Sequence, residues 1–265
     1  MPRFCANLSM LYGERDFLDR FAAAATDGFR GVEYLFPYAY PAEILAARLE
    51  ENGLEQVLFN LPAGDWEAGE RGIACLPDRV EEFRRGVEKA IAYARTLGCR
   101  QLNCLAGIAP PDADPARLEA VLVDNLAFAA RALADAGIRL LLEPINTRDV
   151  PGFFLSRTDQ ALRILEAVGS DNLYLQYDFY HMQIMQGDLT PTFDRLQHRI
   201  AHVQIADHPG RHEPGTGEIA YDFVFGHLDA RGYAGWVGCE YKPLGDTRAG
   251  LGWLSRWRTN GANGG

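Results

Sequence analysis

The sequence predicts an α/β protein that folds as a single (β/α)8 TIM barrel, and three observations support this prediction. Eight short runs of β-like composition alternate with longer runs of helical periodicity along the whole chain. The 265 residues match the typical length of eight βα units. No Gly-rich dinucleotide fingerprint follows the first run, which disfavours a doubly wound sheet and a nucleotide cofactor.

The predicted strands are short and are separated by helical segments. They cover residues 3–7, 31–35, 56–60, 101–104, 139–143, 173–178, 200–206 and 235–240. Between them, apolar residues recur at helical spacing, as Phe83, Val87 and Ile91 do. One helix has a clear start signal at Asp114, which is followed by a proline, and another has a stop signal at Gly169.

No change of composition marks a second domain, so we expect one barrel over residues 1–259 and a disordered tail over residues 260–265. Two segments, 61–79 and 207–219, are longer than simple connectors and are rich in glycine. Both follow predicted strands, so we expect them at the C-terminal face of the barrel, where barrel enzymes bind their substrates.

The composition excludes several classes of protein. The chain has 26 basic and 36 acidic residues, and a net charge of −10 argues against nucleic-acid binding as its main function. No apolar stretch approaches the length of a membrane span, and the start lacks a signal peptide, so we expect a cytoplasmic protein. The five cysteines form no CxxC pair and are predicted to be buried free thiols.

Polar side chains end four consecutive predicted strands, the fifth to the eighth. They are Glu143, Asp178, Gln204 and Glu240. Since neighbouring strands lie about 4.8 Å apart, these side chains should converge on one small volume. Three carboxylates in a partly dry pocket repel one another unless a cation neutralises them, and oxygen donors suit Mg²⁺ or Mn²⁺ better than Zn²⁺. The strand ends therefore predict a site for a divalent metal.

Two further residues are candidates for substrate binding. His181 follows the sixth strand closely and can donate a hydrogen bond to a substrate oxygen or carboxylate. Arg211 lies in the segment 207–219, and its guanidinium suits a carboxylate substrate. His202, at the entrance of the seventh strand, is interpreted as structural, and Lys242 as a solvated surface lysine.

A divalent metal flanked by two glutamates suits proton transfer next to a carbonyl group. The metal polarises the carbonyl, one glutamate removes the neighbouring proton, and a cis-enediolate results. Return of the proton to the adjacent carbon is an aldose–ketose isomerisation, whereas return to the other face of the same carbon is an epimerisation. The residues alone leave both reactions open.

Several long motifs resemble the hydroxypyruvate isomerase family, which belongs to the xylose isomerase-like barrels. The resemblance runs from about residue 3 to residue 257 and includes segments 7–11 (NLSML), 60–66 (NLPAGDW), 143–146 (EPIN), 176–183 (QYDFYHMQ), 204–207 (QIAD), 213–219 (EPGTGEI) and 235–243 (GWVGCEYKP). It implies interconversion of hydroxypyruvate and 2-hydroxy-3-oxopropanoate in glyoxylate metabolism. A homodimer is also implied.

The resemblance also implies roles for individual residues. Glu143 and Glu240 are the expected acid/base pair, and Glu143, Asp178, Gln204 and Glu240 are the expected metal ligands. His181 and Arg211 match the substrate-binding histidine and arginine of the superfamily. Related epimerases carry a histidine where Gln204 stands, so the chain follows the isomerase pattern at that position.

Three other functions compete with this interpretation. A ketose 3-epimerase or another small-sugar isomerase uses the same barrel and differs in substrate size. An endonuclease-IV-like enzyme would need several histidine ligands and a basic face, which the six histidines and the acidic charge do not favour. A non-catalytic barrel would have no reason to keep acids at its strand ends.

Overall fold

The computed structural model describes residues 1–257 and shows eight parallel strands closed into a barrel. The strands are β1 Arg3–Asn7, β2 Gly31–Glu33, β3 Glu55–Asn60, β4 Gln101–Cys104, β5 Arg139–Leu142, β6 Leu173–Asp178, β7 Ile200–Ile205 and β8 Trp236–Cys239. They pair in chain order, and β8 pairs back to β1. The predicted barrel is confirmed. Strand β2 ends two residues earlier than predicted, where its register with β3 shifts.

Helices follow the strands and cover the outside of the barrel. They are α1 Arg20–Thr26, α2 Ala42–Asn52, α3 Val80–Leu97, α4 Pro115–Asp135, α5 Thr158–Val168, α6 Phe179–Met185, α7 Leu189–Leu196, α8 Tyr221–Ala230 and α9 Thr247–Gly250. The predicted end signals are confirmed. Asp114 caps α4 by accepting a hydrogen bond from the backbone N–H of Ala116 at 3.0 Å, and Gly169 ends α5 in the left-handed conformation.

Apolar residues fill two regions. The larger core lies between the barrel and its helices, as the buried side chains of Phe21, Val87 and Leu126 illustrate. A smaller cluster comes from alternate strands β1, β3, β5 and β7, as a layer inside a TIM barrel does, and it consists of Cys5, Val57, Leu58, Leu141 and Ala201. All five cysteines are buried free thiols, as predicted.

Buried polar side chains lie beside the small apolar cluster. Glu33 Oε2 lies 2.7 Å from His202 Nε2, and Glu33 Oε1 accepts hydrogen bonds from Gln204 Nε2 at 2.8 Å and Asn7 Nδ2 at 3.0 Å. Burial acts to raise the pKa of Glu33, but His202 and these hydrogen bonds outweigh it and lower the pKa. The ionised Glu33 carboxylate therefore links three buried polar side chains inside the barrel. His202 is one of them, which agrees with its predicted structural role.

The two long segments reach the C-terminal end of the barrel, as predicted. Trp66 and Arg71 from residues 61–79, and Arg211 from residues 207–219, line a common cavity there. The second segment is held by the Asp207 carboxylate, which accepts four backbone N–H hydrogen bonds of 2.8–3.0 Å, from His208, Gly215, Gly217 and Ile219. The main chain of segment 207–219 is therefore held in place by contacts within the protein.

Gly72 holds the first segment against the residues after β4. Its φ of +111° favours glycine, and a Cβ there would overlap the carbonyl oxygen of Leu105 and lie 2.8 Å from the backbone nitrogen of Gly107. Gly72→Ala should therefore lower the free energy of unfolding by about 1–3 kcal/mol, because the segment must move away from the barrel. Urea denaturation measures this change.

Gly69→Ala is the matched control for that prediction. Gly69 lies in the same segment with a φ of +94°, but a Cβ added there meets no atom within 4 Å. The control shares the backbone strain and lacks the overlap. Equal stability of the two variants would contradict the predicted contact between the segment and the barrel.

The predicted domain end at residue 259 and the predicted tail, 260–265, lie outside the described residues. Among residues 1–257, no helix is both long and apolar enough to cross a membrane.

Candidate active site

Three buried carboxylates converge at the C-terminal end of the barrel. Glu143 directly follows β5, Asp178 ends β6, and Glu240 directly follows β8. Together with His181 on α6, they place one potential ligand atom each within 4.8 Å of one another. The structure thus brings together three of the four predicted strand-end residues and both predicted substrate-binding residues, since Arg211 contacts Glu240.

Glu143 accepts a hydrogen bond from a neighbouring strand and faces other acids. Its Oε2 accepts a hydrogen bond from Asn103 Nδ2 at 2.8 Å, and its Oε1 lies 3.8 Å from His181 Nε2. Burial raises the pKa of Glu143 well above its ordinary value, and the charges of Glu240 and Asp178 raise it further. The side chain therefore takes up a proton readily at this site.

Asp178 is the N-cap of α6 and has one oxygen without a partner. Its Oδ1 accepts hydrogen bonds from the backbone N–H groups of Tyr180 at 2.7 Å and His181 at 3.3 Å. Its Oδ2 is buried and has no hydrogen-bond partner among the described residues. Burial raises the pKa of Asp178 to about 6, against the lowering effect of Arg211.

Glu240 forms an ion pair with the predicted substrate-binding arginine. Its Oε2 accepts a hydrogen bond from Arg211 Nη2 at 2.5 Å, and its Oε1 accepts one from Asn7 Nδ2 at 3.3 Å. Burial raises the pKa of Glu240 to about 8, although Arg211 lowers it. Arg211 Nε is buried and has no hydrogen-bond partner within residues 1–257, and the Arg211 side chain lines the cavity described below.

His181 is buried and uncharged. Burial, together with the nearby charge of Arg211, lowers the pKa of His181 well below its ordinary value. Its Nδ1 lies 2.7 Å from Asn146 Nδ2, and its Nε2 lies 3.6 Å from Asp178 Oδ2. The Nε2 side of the ring therefore faces the carboxylates.

Gln204 lies on β7 in register with Asp178 on β6. Its Oε1 accepts a hydrogen bond from Gln176 Nε2 at 2.5 Å, and its Nε2 donates to Glu33 Oε1. The amide oxygen is therefore already engaged by a protein donor. The role of Gln204 as a metal ligand stays a prediction.

A cavity of about 670 Å³ opens above these residues. Its wall includes Glu143, His181, Glu240 and four cationic side chains, Arg71, Arg148, Arg211 and Lys242. Of these four cations, only Arg211 forms an ion pair with a carboxylate of the described chain. Lys242 is exposed, as predicted for a surface lysine, and it also lines the cavity. An anionic ligand suits this wall, although the whole protein is acidic.

The donor set fits a hard divalent cation. Three buried carboxylates offer the oxygen ligands that Mg²⁺ and Mn²⁺ prefer. The unpartnered Asp178 Oδ2 is a buried acceptor that a cation would satisfy. The raised pKa values of the three carboxyls have the same main cause, since burial disfavours their ionised forms more than the charge of Arg211 favours them.

Comparisons with known proteins show the family of this chain. A model of the xylose isomerase-like TIM barrel family matches residues 21–257. The chain belongs to the xylose isomerase-like TIM barrel family. A hydroxypyruvate isomerase from Escherichia coli (strain K12) is 56% identical over 97% of this chain and 100% of its own length. A 2-oxo-tetronate isomerase from Cupriavidus necator is 54% identical over 96% of this chain and 98% of its own length.

This member of the xylose isomerase-like family is therefore an isomerase, as predicted. A solved structure from Brucella melitensis, described as an AP endonuclease of family 2, is 46% identical. It superposes with a TM-score of 0.95 and covers 97% of this chain and 100% of that one. The candidate site here has one histidine beside three carboxylates, whereas the zinc site of a nuclease would favour several histidines.

Sequence reasoning missed several residues of this xylose isomerase-like site. Asn146, Tyr180 and Arg148 contact or surround the predicted residues but were not singled out. Asn146 had one usable signal, since it is a polar residue directly after a strand that ends in a carboxylate and a proline. Tyr180 and Arg148 reach the site through loop and helix geometry that periodicity does not reveal.

Proposed function

We propose that the protein interconverts hydroxypyruvate and 2-hydroxy-3-oxopropanoate. The observation that carries this proposal is the placement of two buried glutamates, Glu143 and Glu240, on one cavity with a free arginine donor and a neutral histidine. The name of the Escherichia coli relative, at 56% identity over almost the whole chain, supports the choice of substrate.

The proposed reaction moves two hydrogens and leaves the carbon chain intact. A glutamate removes one hydrogen from C3 of hydroxypyruvate as a proton, which gives an enediolate, and a proton then returns to C2. The hydroxyl proton on O3 is lost and O2 gains one, so the ketone becomes a secondary alcohol and C3 becomes an aldehyde. Atoms and charge balance without an oxidant or a reductant.

Each residue of the site has its own role in this proposed reaction. Glu143 and Glu240 exchange the carbon-bound proton, because burial raises the pKa of both carboxyls above the ordinary value and so favours proton uptake. Arg211 and His181 line the cavity, where Arg211 binds the substrate carboxylate and His181 donates a hydrogen bond to a substrate oxygen. Glu143, Glu240 and His181 are buried and Arg211 is partly buried, which limits access of water to the intermediate.

Glu143, Asp178 and Glu240 would hold a divalent cation, with Gln204 as the proposed fourth ligand. When bound, such a cation supplies positive charge that stabilises negative charge developing on the substrate oxygens. Mg²⁺ as the ion, glyoxylate metabolism as the pathway, the cytoplasm as the compartment and a homodimer as the assembly are proposals from the sequence.

The names of two relatives support a second substrate of the same class, and the cavity of about 670 Å³ has room for it. Relatives named 2-oxo-tetronate isomerase are 54% and 47% identical to this chain. A 2-oxo-tetronate has the same 2-oxo-3-hydroxy acid core as hydroxypyruvate, with one more carbon at C3. The same proton transfer between C3 and C2 therefore applies to both acids.

The proposal is tested by following both acids with the purified protein by ¹H NMR. Separate samples contain Mg²⁺, Mn²⁺ or a chelator, and D-allulose serves as a neutral ketose control. We expect isomerisation of at least one acid with a cation present and no reaction of the ketose, because the cavity wall is cationic. No product from either acid under any condition would overturn the proposal, and turnover of D-allulose alone would favour a 3-epimerase.

A further inference from the structure

Asn146 is a buried residue just after β5, and both polar atoms of its side chain have partners. Its Oδ1 accepts hydrogen bonds from the backbone N–H groups of Arg148 at 3.0 Å and Asp149 at 2.8 Å. Its Nδ2 donates to Asp149 Oδ2 at 3.1 Å and lies 2.7 Å from His181 Nδ1. The side-chain amide is thus fully engaged.

These partners allow only one orientation of the Asn146 amide. The reversed amide would point its NH₂ group at two backbone N–H donors and its oxygen at the Asp149 carboxylate. Three favourable contacts would become repulsive, so the amide nitrogen must face His181. An amide N–H directed at Nδ1 requires a lone pair on that ring nitrogen.

From this geometry we propose that Asn146 is a positioning residue that fixes His181 as the Nε2–H tautomer. Because Nδ1 accepts the hydrogen bond from Asn146 Nδ2, it carries no proton, so the ring has a single proton and that proton lies on Nε2. The Nε2–H group then faces the site where Glu143 and Asp178 lie. His181 is therefore a hydrogen-bond donor to a substrate oxygen.

The same tautomer removes His181 from the set of metal ligands. Ligation through Nε2 needs a lone pair there, and the proton would have to move to Nδ1, against the N–H of Asn146. His181 lies within 4.8 Å of the three carboxylates, but they alone among these four groups present oxygen acceptors to a cation. The cluster thus divides into three anionic ligands and one neutral donor.

The first test reads the tautomer directly. Long-range ¹H–¹⁵N correlation spectra of ¹⁵N-histidine-labelled protein distinguish a protonated ring nitrogen from an unprotonated one. His181 is one of six histidines, and its signals are assigned as those lost in His181→Gln. We expect the Nε2–H form in the wild-type protein, both without metal and with saturating Mg²⁺. An Nδ1–H form in either sample would overturn the proposal.

The second test exchanges donor and acceptor around His181. Asn146→Asp combined with Asp149→Asn keeps a donor–acceptor pair between positions 146 and 149 and avoids two adjacent carboxylates. The new carboxylate accepts a hydrogen bond from Nδ1–H, so we expect the tautomer of His181 to reverse. Asp149→Asn alone is the matched control, and its His181 should stay in the Nε2–H form, because Asn146 is retained.

The consequence for catalysis rests on the proposed function, whereas the tautomer does not. Relative to Asp149→Asn, the double variant should lose about 10²-fold in kcat on the accepted acid, with a smaller change in KM, because a donor to the developing charge is lost.

An unchanged tautomer in the folded double variant would overturn the proposal about Asn146. A reversed tautomer with unchanged kcat would overturn the role of His181 as a donor. Absence of activity in the wild-type protein bears on the proposed function alone.

Discussion

The Glu240→Gln variant should turn over hydroxypyruvate at least about 10³-fold more slowly than the wild-type protein, because an amide neither removes nor returns a carbon-bound proton. Glutamine has nearly the same shape as glutamate and can still accept the hydrogen bond from Arg211 through its oxygen. The loss should therefore fall on kcat, with little change in KM. Steady-state kinetics under the best cation condition measure both constants.

Glu67→Gln is the matched control for this substitution. Glu67 is exposed in the segment 61–79 and lies outside the lining of the cavity. The same change of chemistry there should leave kcat within about twofold of the wild-type value, since surface substitutions are usually near neutral. If Glu240→Gln kept a rate within tenfold of this control, the acid/base role of Glu240 would be wrong.

The metal-free protein should lose stability as the pH rises from 6.5 to 8. The pKa of Glu240 is about 8 in the folded protein because of burial, whereas a carboxyl in an unfolded chain has a pKa of about 4.3. The folded state thus binds more protons in this window, and its advantage is lost as the pH rises. Glu240 alone should cost about 1.5 kcal/mol, or roughly 3–6 °C in Tm.

His181 does not reverse this expected trend. Burial lowers its pKa well below the ordinary value, so its contribution to stability rises with pH and is largely complete near pH 6.5. Scanning calorimetry in chelator at pH 6.5, 7.2 and 8 measures the trend. Added Mg²⁺ should raise Tm more at pH 8 than at pH 6.5, because the cation binds the ionised carboxylates.

Glu240→Gln also isolates the contribution of this carboxyl to the pH dependence. The variant has no titrating group at position 240, so its Tm should fall less steeply with pH than that of the wild-type protein. The buried cysteines, whose raised pKa values act in the same direction above pH 8, are shared by both proteins. Identical slopes for the two proteins would contradict the assignment of a raised pKa to Glu240.

The main acids of the site were predictable because each follows a run of strand residues. Glu143 comes after three leucines and before a proline, and Asp178 ends a strand just before the histidine of the site. Strand order in a barrel follows chain order, so these ends could be assigned to one face without any coordinates. The eight strands were predictable because short β-like runs alternate with helical segments along the whole chain.

The partners of these acids were not predictable, because they depend on distances across the barrel. Glu33 on β2 binds Gln204 on β7, and no local pattern relates these residues. Arg211 was recognised from its chemistry, but its ion pair with Glu240 depends on the path of a long loop. The contact between Asn146 and His181 likewise joins two loop-side positions that periodicity treats as unrelated.

The Asp207 carboxylate has a consequence for how this protein can change its specificity. Four backbone N–H groups of the segment 207–219 converge on that one side chain, so the path of the segment depends on main-chain atoms. Side chains between the anchored positions, such as Arg211, are not part of the anchor. Evolution or engineering can therefore exchange residues facing the substrate there while the main chain keeps its course, as long as Asp207 and the glycines it binds are retained.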